Sequence, residues 1–399
     1  MNNVYSNAVS QEKGLTVGSS RAYNAAIGVF ALLTALGVAA GLHAMLVGHE
    51  HTYGVTREVP WGLLISTYVF FVVTSTGLCL VSSIGHVFNV ETLKPIAKRS
   101  VFMAITTIIA GFLVIAFEIE NPWRMPIYNM LSPNVTSNIW WMGTLYGAYL
   151  FFMVIEFALL QMGRHKQAGM FGLAGVISGI AAHSNLGAVF GLLAGREFWH
   201  GPYMPIYFIT SAMMSGCAAV IFFSWLAYRT NGWQMSEAYK GSLRATGKLM
   251  ALLITVIAFF TTWKMISGIS GQPPGKYEAM MALINGPYSV NFWVGEIMLG
   301  MVIPFVLIMA ARAKNIKTMF VGATSMIIGI FFMRYDLVVV GQIVPVYHEL
   351  GVNEYKHLLS YSPSLYEGII TLGGFGLTAF LFLLGEKLFA GHKVSEDHH

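Results

Sequence analysis

The residues of this chain that could carry out chemistry are ionisable side chains inside long apolar runs. Charge is unfavourable in a bilayer, so such groups normally face the protein interior or a polar cavity and indicate a functional site. Carboxylates and imidazoles can also exchange protons with a bound ligand. The set is His43, His86, Glu118, Glu156, His183, Lys264, Glu296, Arg334, Asp336, Glu367 and Glu386.

Polar and aromatic loops lie next to several of these residues. The segment 118–129 combines Glu118 and Glu120 with Trp123, Arg124 and Tyr128, and it contains too many hydrogen-bonding groups for a simple connection. Similar clusters occupy 57–68, 195–207 and 285–293. Trp and Tyr at such places are ordinarily interfacial anchors. A flat ligand that enters from the lipid, such as a quinone headgroup, would use the same aromatic surfaces and a few hydrogen-bond donors.

The elements that position these groups are ten apolar runs, each close to the length of about 20 residues that a helix needs to cross the hydrocarbon. The composition, with 56% hydrophobic and 10% charged residues, agrees. We therefore predict an all-α polytopic membrane protein of about ten transmembrane helices arranged in bundles. The runs are 24–46, 61–84, 101–118, 139–161, 168–193, 204–227, 247–268, 290–311, 318–341 and 365–390.

The loops between the runs alternate in positive charge. The set that includes the N-terminus contains sixteen Lys and Arg residues and the opposite set contains five. Because positive loops stay cytoplasmic, both termini are predicted to be cytoplasmic. The net charge of +5 is thus a topology signal and does not indicate nucleic-acid binding. No cleavable signal peptide is expected. The predicted location is a bacterial cytoplasmic (inner) membrane, with segment 1–23 and tail 391–399 on the cytoplasmic side.

Orientation assigns a depth to each buried ionisable residue. Most lie in the outer halves of their helices, His183 lies near the middle, and Glu156, His86 and Glu386 lie toward the cytoplasm. Lys264 and Glu296 could form a buried ion pair that only fixes helix packing. Arg334 and Asp336 are two positions apart and should have separate partners. Glu367 could be a simple interfacial residue.

At this point the chain resembles the NrfD/polysulfide-reductase family of membrane subunits, in its ten-helix branch. The resemblance extends over most of the sequence. It rests on Pro60-Trp61-Gly62, the Glu118…Trp123-Arg124-Met125-Pro126 loop, Glu156-Phe157, His183-Ser184-Asn185-Leu186-Gly187 and Trp293…Glu296…Pro304. The sequence departs from the family at Glu118-Ile119-Glu120-Asn121, where relatives often have Gly and Arg, and Arg124 is the candidate replacement.

The resemblance implies a haem-free subunit that binds menaquinone or ubiquinone on the outer side. Its implied partners are an iron–sulfur protein of the four-cluster type and, through it, a catalytic subunit or a multihaem cytochrome, besides membrane lipid. We expect a quinone-binding bundle within 61–193. The expected catalytic residues are Glu118 and His183. The expected quinone-binding residues are Tyr68, Trp61, Tyr128, Arg124, Trp123 and Ser184, and the expected proton path contains Glu156, Glu296 and Asp336.

Other cofactors find little support in the sequence. A b-type haem needs two inward-facing His residues at similar depth in the membrane. The estimated depths of His43 and His183 differ by more than a helical turn, so this pair is a poor candidate for haem ligation. Cys79 and Cys217 lie inside apolar runs and should pack as small apolar residues. We expect no metal site in this protein.

Two other functional classes are considered. A proton-coupled secondary transporter could use Lys264, Glu296, Arg334 and Asp336 to bind substrate, but it predicts inverted repeats with broken helices at matching places. Only Gly-Pro-Tyr at 201–203 and 286–288 repeats, and the two copies are two helices apart. A passive membrane anchor would leave the outer-half carboxylates unexplained.

Overall fold

The computed structural model of the protein describes residues 21–346 and 358–389. Ten helices in these ranges are long and apolar enough to cross a membrane, which confirms the predicted all-α polytopic class. The predicted tail 391–399 and all but the last three residues of segment 1–23 lie outside the described residues. The helices are α1 Arg21–Val47, α2 Leu63–His86, α3 Lys94–Glu118, α4 Asn138–Gln161, α5 His165–Gly191, α6 Tyr203–Asn231, α7 Glu237–Ser270, α8 Asn291–Ala310, α9 Ile316–Val340 and α10 Leu365–Phe389.

Two of these helices begin well before the apolar runs that predict them. Helix α3 starts at Lys94, with a proline in its first turn, where the missing amide hydrogen is of no consequence. Helix α7 starts at Glu237, where the Ser236 side chain accepts a hydrogen bond from the Tyr239 amide. Apolar runs therefore mark the hydrocarbon-spanning part of a helix and miss its polar extensions.

The even-numbered helices begin at one end of the molecule, which the charge count predicts to be the outer end and which keeps that name here. Helices α2–α5 form one four-helix bundle, in which each helix packs against its two neighbours around the ring. Helices α6–α9 repeat this arrangement in the same order. The two bundles are called bundle 1 and bundle 2 below. Each is a unit of four helices, so the described residues contain a four-helix repeat in parallel orientation and no five-helix repeat.

Bundles 1 and 2 meet along α2 and α6. The two backbones approach so closely at Gly77 and Gly216 that a side chain at either position would collide with the opposing backbone. Small residues permit such contacts between membrane helices, where van der Waals packing drives association. The contact makes α2 and α6 the centre of the molecule.

Helices α1 and α10 pack against each other and then against bundle 1 through α3. A Cβ atom added to Gly37 would lie 2.6 Å from the Cα of Gly373, so this pair also depends on small residues. The Tyr23 hydroxyl donates to the Leu383 carbonyl at 2.7 Å and ties the ends of the pair together. This pair is peripheral to the two bundles.

A buried ion pair joins the helices at the cytoplasmic end. The Arg99 guanidinium donates from Nε and Nη2 to the Glu386 carboxylate at 2.7 and 3.0 Å, and it also donates to the Tyr239 hydroxyl. Tyr239 in turn donates to Ser224 Oγ at 2.9 Å. The loop-charge count includes Arg99 among the loop residues. The structure places it inside α3, 3% exposed, where it links α3 to α10, α7 and α6.

Loops at the outer end are held by two side chains. The Glu367 carboxylate accepts hydrogen bonds from the Tyr361 hydroxyl and from the backbone amides of Gly54 and Ser364, the latter two at 2.8 Å. Gln342 accepts from the Trp61 amide at 3.0 Å and donates to the Trp61 carbonyl at 2.8 Å. Glu367 is fully buried. Its carboxylate therefore holds the outer loops together and is not an interfacial residue.

Candidate functional site

A histidine and a tyrosine form the centre of the candidate site. His183 of α5 is fully buried, and its Nδ1 lies 3.1 Å from the Tyr146 hydroxyl of α4. Its Nε2 is also buried and has no partner with normal hydrogen-bond geometry among the described residues, while the imidazole also interacts with the backbone of Phe208. A buried polar atom without a partner is uncommon and calls for a functional explanation. His183 therefore has one nitrogen held by the protein and one available to a ligand or proton.

Tyr68 joins this pair from α2. It is 4% exposed and lies close enough to Tyr146 for an electrostatic interaction. Within the described part of the sequence its hydroxyl has no hydrogen-bond partner, although it can both donate and accept. Tyr68, Tyr146 and His183, called the tyrosine–histidine group below, thus bring three helices of bundle 1 together.

Arg334 approaches the same place from bundle 2. Its Nη2 donates to Ser211 Oγ at 2.6 Å, and its guanidinium lies over the ring of Phe208, 5.2 Å from the centroid. Its Nε and Nη1 are buried without a partner among the described residues. The positive charge acts on both His183 and Tyr146. Arg334 therefore lies where the two bundles meet and connects the tyrosine–histidine group to bundle 2.

A second cluster of ionisable groups lies inside bundle 2. Lys264, Glu296 and Asp336 interact electrostatically and line a small enclosed cavity of about 20 Å³, which is large enough for one water molecule. Among the described residues no carboxylate oxygen lies within 4 Å of the Lys264 ammonium, so the direct ion pair considered for Lys264 and Glu296 is not formed. Asp336 instead accepts from Asn291 at 3.3 Å. The separate partners expected for Arg334 and Asp336 are confirmed.

The backbone around Glu296 is unusual. Residues Asn291–Val302 of α8 form a π-helix, in which the hydrogen bonds skip one more residue than in an α-helix. Such segments are rare and often occur at functional sites. The π-helix places Glu296, 7% exposed, on the buried side together with Phe292 and Gly295.

Glu118 lies in a different group, at the outer end of α3. One of its carboxylate oxygens is buried without a hydrogen bond to the described residues. Burial raises the pKa of Tyr53, in the loop before α2, and the nearby carboxylates of Glu118 and Glu367 raise it further. Gly111 of α3 lies beside the backbone of Tyr68, so Glu118 is about 10 Å closer to the outer end than Tyr68. The structure does not join Glu118 directly to His183.

Glu156 lies in the cytoplasmic half of α4. It is 2% exposed, and its Oε1 is 3.9 Å from Nε2 of His86 at the end of α2. Electrostatic interactions extend from Glu156 to Cys79 and Tyr149 in the interior of bundle 1. Both cysteines are buried and free, as the sequence predicts.

Three predicted quinone-binding residues lie on the outer surface. Trp123 precedes the short helix Arg124–Leu131 and is 75% exposed, while Tyr128 within that helix is 55% exposed. Arg124 is exposed as well. The helix is attached to α4 through Asn129, which donates to Thr144 at 2.9 Å. These side chains belong to an outer surface and not to the buried tyrosine–histidine group.

The remaining two predicted residues have different surroundings. Trp61 stacks on Trp199 at 5.5 Å between ring centroids and contacts the edge of Phe190 at 5.4 Å, which builds an aromatic layer at the outer end. Ser184 follows His183 directly, but its hydroxyl donates to the Ile180 carbonyl of the same helix. Adjacent helical residues point about 100° apart, so Ser184 cannot share the direction of His183.

Sequence reasoning missed Tyr146 and did not place Arg334 in the same site as His183. Tyr146 stands among Trp140, Trp141 and Tyr149 near the start of α4, where aromatic residues suggest only an anchor. Its near-complete burial is the distinguishing property, and this emerges only when α4 packs on α5. In the described ranges no group of three or more His, Cys, Asp or Glu residues could hold a metal ion.

Known proteins are similar to this one in sequence over most of its length. The sequence profile of the family described as polysulphide reductase, NrfD, matches residues 51–346, which contain α2–α9 and leave out α1 and α10. The Hdr-like menaquinol oxidoreductase integral membrane subunit of Archaeoglobus fulgidus is 27% identical, over 94% of this chain and 94% of that protein. A selenate reductase subunit of Mesobacillus selenatarsenatis is 24% identical, over 86% and 89%.

A polysulfide reductase component of Wolinella succinogenes is 24% identical, over 72% of this chain and 95% of that protein. The family profile thus spans both four-helix bundles, including every residue of the tyrosine–histidine group and of the bundle 2 charge cluster. The chain belongs to the NrfD polysulphide reductase family and is a multi-pass membrane subunit of an oxidoreductase complex.

Proposed function

We propose that this subunit reacts with a membrane quinone or quinol and exchanges electrons with an iron–sulfur partner docked at the outer end. The observation that carries the proposal is the buried tyrosine–histidine group, in which His183 Nε2 lacks a partner among the described residues and Tyr146 holds Nδ1. The name of the Archaeoglobus fulgidus relative, a menaquinol oxidoreductase subunit, favours the same chemistry and favours menaquinone over ubiquinone.

The residues present fit a quinone headgroup. Two carbonyl oxygens require hydrogen-bond donors, and the Tyr68 hydroxyl and His183 Nε2 both lack partners in the described ranges. The flat ring requires apolar and aromatic contacts, which Phe208 supplies at 5.7 Å from the His183 ring. When bound, a quinone supplies reversible transfer of two electrons and two protons.

The protein's contribution is to hold and move protons at defined atoms. Tyr146 keeps the His183 ring in one orientation and determines which nitrogen carries the proton. His183 then exchanges a proton at Nε2. Glu118, which lies about 10 Å nearer the outer end than Tyr68, is proposed to pass protons to the outer water.

The outer surface is proposed to receive the iron–sulfur protein of the four-cluster type. Trp123, Arg124 and Tyr128 are exposed there, and Met130 of the same short helix is 84% exposed. Exposed aromatic residues and Arg are enriched where proteins bind one another. Beyond that partner, a catalytic subunit or a multihaem cytochrome would supply or accept the electrons.

Two buried groups could carry protons inward. Glu156 with His86 lies at the cytoplasmic side of bundle 1, and Glu296 with Asp336 lies in bundle 2. We propose both as parts of a proton path, with the cytoplasmic membrane of a bacterium as location and both termini cytoplasmic. The biased loop charges support this orientation.

The transporter alternative is less well supported. It predicts inverted repeats, whereas α2 and α6, the first helices of the two bundles, both begin at the outer end. A passive anchor would not require partnerless polar atoms in its interior.

The test is quinol turnover of the purified complex that contains His183→Gln. General acid–base groups contribute about 10²–10⁴-fold, so turnover should fall by about that factor while the complex stays assembled. Tyr146→Phe should lower turnover by a smaller factor, because the ring is retained but no longer oriented. Ser184→Ala is the matched control and should remain within about twofold of the unmodified complex, since Ser184 faces away from the site. Normal turnover of His183→Gln would remove the tyrosine–histidine group from the reaction.

Glu118→Gln tests the outer proton group separately. Loss of turnover with assembly intact would assign Glu118 to proton exchange. Normal turnover would remove it from the proposal without affecting His183, because the two residues lie in different groups.

A further inference from the structure

An open cavity of about 530 Å³ lies between α6 and α7 at the outer end, away from the tyrosine–histidine group. Its lining includes Phe198, Tyr203, Phe259, Trp263, Lys264 and Lys276. Its volume is within the ordinary range for small-molecule sites. The proposed function uses none of this space.

The polar groups of the cavity are all potential donors to an anion. Lys264 and Lys276 carry positive charge, and no Asp or Glu is among the lining residues. The Lys264 ammonium lies over the Phe198 ring, 3.7 Å from its centroid, and no carboxylate of the described residues is within 4 Å of it. The Tyr203 hydroxyl is buried and has no hydrogen-bond partner in the described part of the sequence. The cavity is therefore positively charged and contains an unsatisfied donor.

The apolar part of the cavity faces the membrane. Phe259 and Trp263 of α7 are 59% and 55% exposed, on a helix whose central part is apolar enough to span the hydrocarbon. At 1.5 Å per residue, Lys264 lies about 9 Å below the outer end of α7 and Phe259 about 16 Å below it. Lys276, at the start of the short helix Lys276–Ile284, lies above them. Lys276 thus adds positive charge beyond the outer end of α7, Lys264 and Trp263 lie at similar depth below that end, and Phe259 lies deeper.

We propose that this cavity binds an anionic phospholipid of the outer leaflet. The phosphate oxygens accept hydrogen bonds from the Lys264 ammonium and the Tyr203 hydroxyl, and Lys276 adds a second positive charge at the rim. One acyl chain packs along Phe259 and Trp263. Basic pockets between transmembrane helices bind anionic headgroups at the cytoplasmic side, and the same charge complementarity applies to this cavity at the outer end. A neutral quinone headgroup would bring no negative charge to either lysine. The inference does not depend on the proposed reaction.

The site has a connection to the interior. Lys264 lines both this cavity and the small enclosed cavity with Glu296 and Asp336. A bound phosphate therefore places a negative charge on one side of Lys264, opposite the two carboxylates on the other side. Lipid binding and the bundle 2 charge cluster are linked through this one side chain.

The experiment is native mass spectrometry of the whole complex after removal of loosely bound lipid. The complex is exposed to detergent micelles that contain either phosphatidylglycerol or phosphatidylcholine, and retained lipid is counted. We expect at least tenfold preferential retention of phosphatidylglycerol. Lys276→Gln and Tyr203→Phe should each lower that preference several-fold, and Lys264→Met should abolish it. Lys314→Gln is the control, because Lys314 is an exposed lysine at the opposite end.

Four outcomes would overturn the proposal. Equal retention of both lipids would show a purely apolar groove. Loss of bound quinone, rather than of phosphatidylglycerol, in the Lys264→Met complex would assign the cavity to quinone. Displacement of the lipid by inorganic phosphate alone would identify a site for free anions. If the Lys264→Met complex fails to assemble, Lys276→Gln and Tyr203→Phe decide the matter, and unchanged retention in both would reject the proposal.

Discussion

Bundles 1 and 2 have the same helix packing but differ in the chemistry of their interiors. In its centre and outer half, bundle 1 buries neutral groups that bond to one another, such as Tyr146 with His183 at 3.1 Å and Tyr149 with the Ser75 carbonyl at 3.0 Å, while its charged groups Arg99 and Glu156 lie toward the cytoplasmic end. Bundle 2 buries Lys264, Glu296, Arg334 and Asp336, which interact over longer distances. One scaffold therefore supports a hydrogen-bonded interior and an ionic interior side by side.

The difference follows the order of the helices. The fourth helix of bundle 1 contributes His183 and the fourth helix of bundle 2 contributes Arg334, while the third helices contribute Tyr146 and Glu296. Neutral polar groups within hydrogen-bond distance can satisfy one another locally, whereas isolated charges in a membrane need opposite charges nearby. Bundle 1 is thus suited to hold a neutral ring-shaped ligand, and bundle 2 to hold mobile protons or water.

The largest expected effect is at the contact between the bundles. Gly77→Ala puts a methyl group into the backbone of α6 near Ala212, where nothing flexible can move aside. We expect a loss of about 3 kcal/mol or more and little assembled complex, because overpacking forces the backbones apart. The measurement is the yield and thermal stability of the purified complex.

Gly147→Ala is the matched control, since no atom lies within 4 Å of a Cβ at this position on α4. It should be neutral or slightly stabilising. Equal stability of the two variants would show that the bundles do not depend on this close approach.

A smaller effect is expected when a charge is removed from bundle 2. Lys264→Met or Glu296→Gln should each destabilise the protein by about 2 kcal/mol, less than for a buried ion pair in direct contact, because the remaining charges lose a more distant partner. The double variant should lose clearly less than the sum of the two single variants. Thermal unfolding of all four proteins measures the coupling. Additive losses would mean that the ionic interior has no internal compensation.

The smallest effect is expected in bundle 1. Tyr149→Phe removes the hydroxyl that donates to the Ser75 carbonyl, but Ser75 keeps its own hydrogen bond to the Ala104 carbonyl at 2.6 Å. The loss should be about 1 kcal/mol, the usual net value for a neutral hydrogen bond. The same unfolding measurement applies. Destabilisation as large as that of Lys264→Met would contradict the distinction between the two interiors.

Sequence reasoning succeeded for properties that depend on one helix at a time. Helix number and approximate bounds follow from apolar runs, and the separate partners of Arg334 and Asp336 follow from their spacing. Sequence reasoning failed where the environment of a side chain depends on how far a helix extends or on how helices pack. Arg99 was counted as a loop residue because the apolar run begins at 101, although α3 starts at Lys94 and buries it against Glu386.

The candidate site shows the same limit. His183 was identified from its place inside an apolar run, but its adjacent Ser184 turned out to face away. Tyr128 and Trp123 are aromatic residues near the outer end, as Tyr68 is, and the sequence offers no reason to separate them. In the structure, Tyr128 and Trp123 are exposed, whereas Tyr68 is buried. Residue type and depth do not specify the rotation of a helix about its axis, which determines the groups that each side chain touches.

The sequence by itself determined that ten helices are long and apolar enough to cross a membrane and which end carries most of the buried charge. It could do so because backbone groups in hydrocarbon must be satisfied within each helix, so every span is an independent apolar segment. Only the tertiary structure decided that Tyr146 bonds His183 and that Arg334 reaches Ser211. Those contacts join different helices, and they depend on how α4, α5, α6 and α9 pack and rotate against one another.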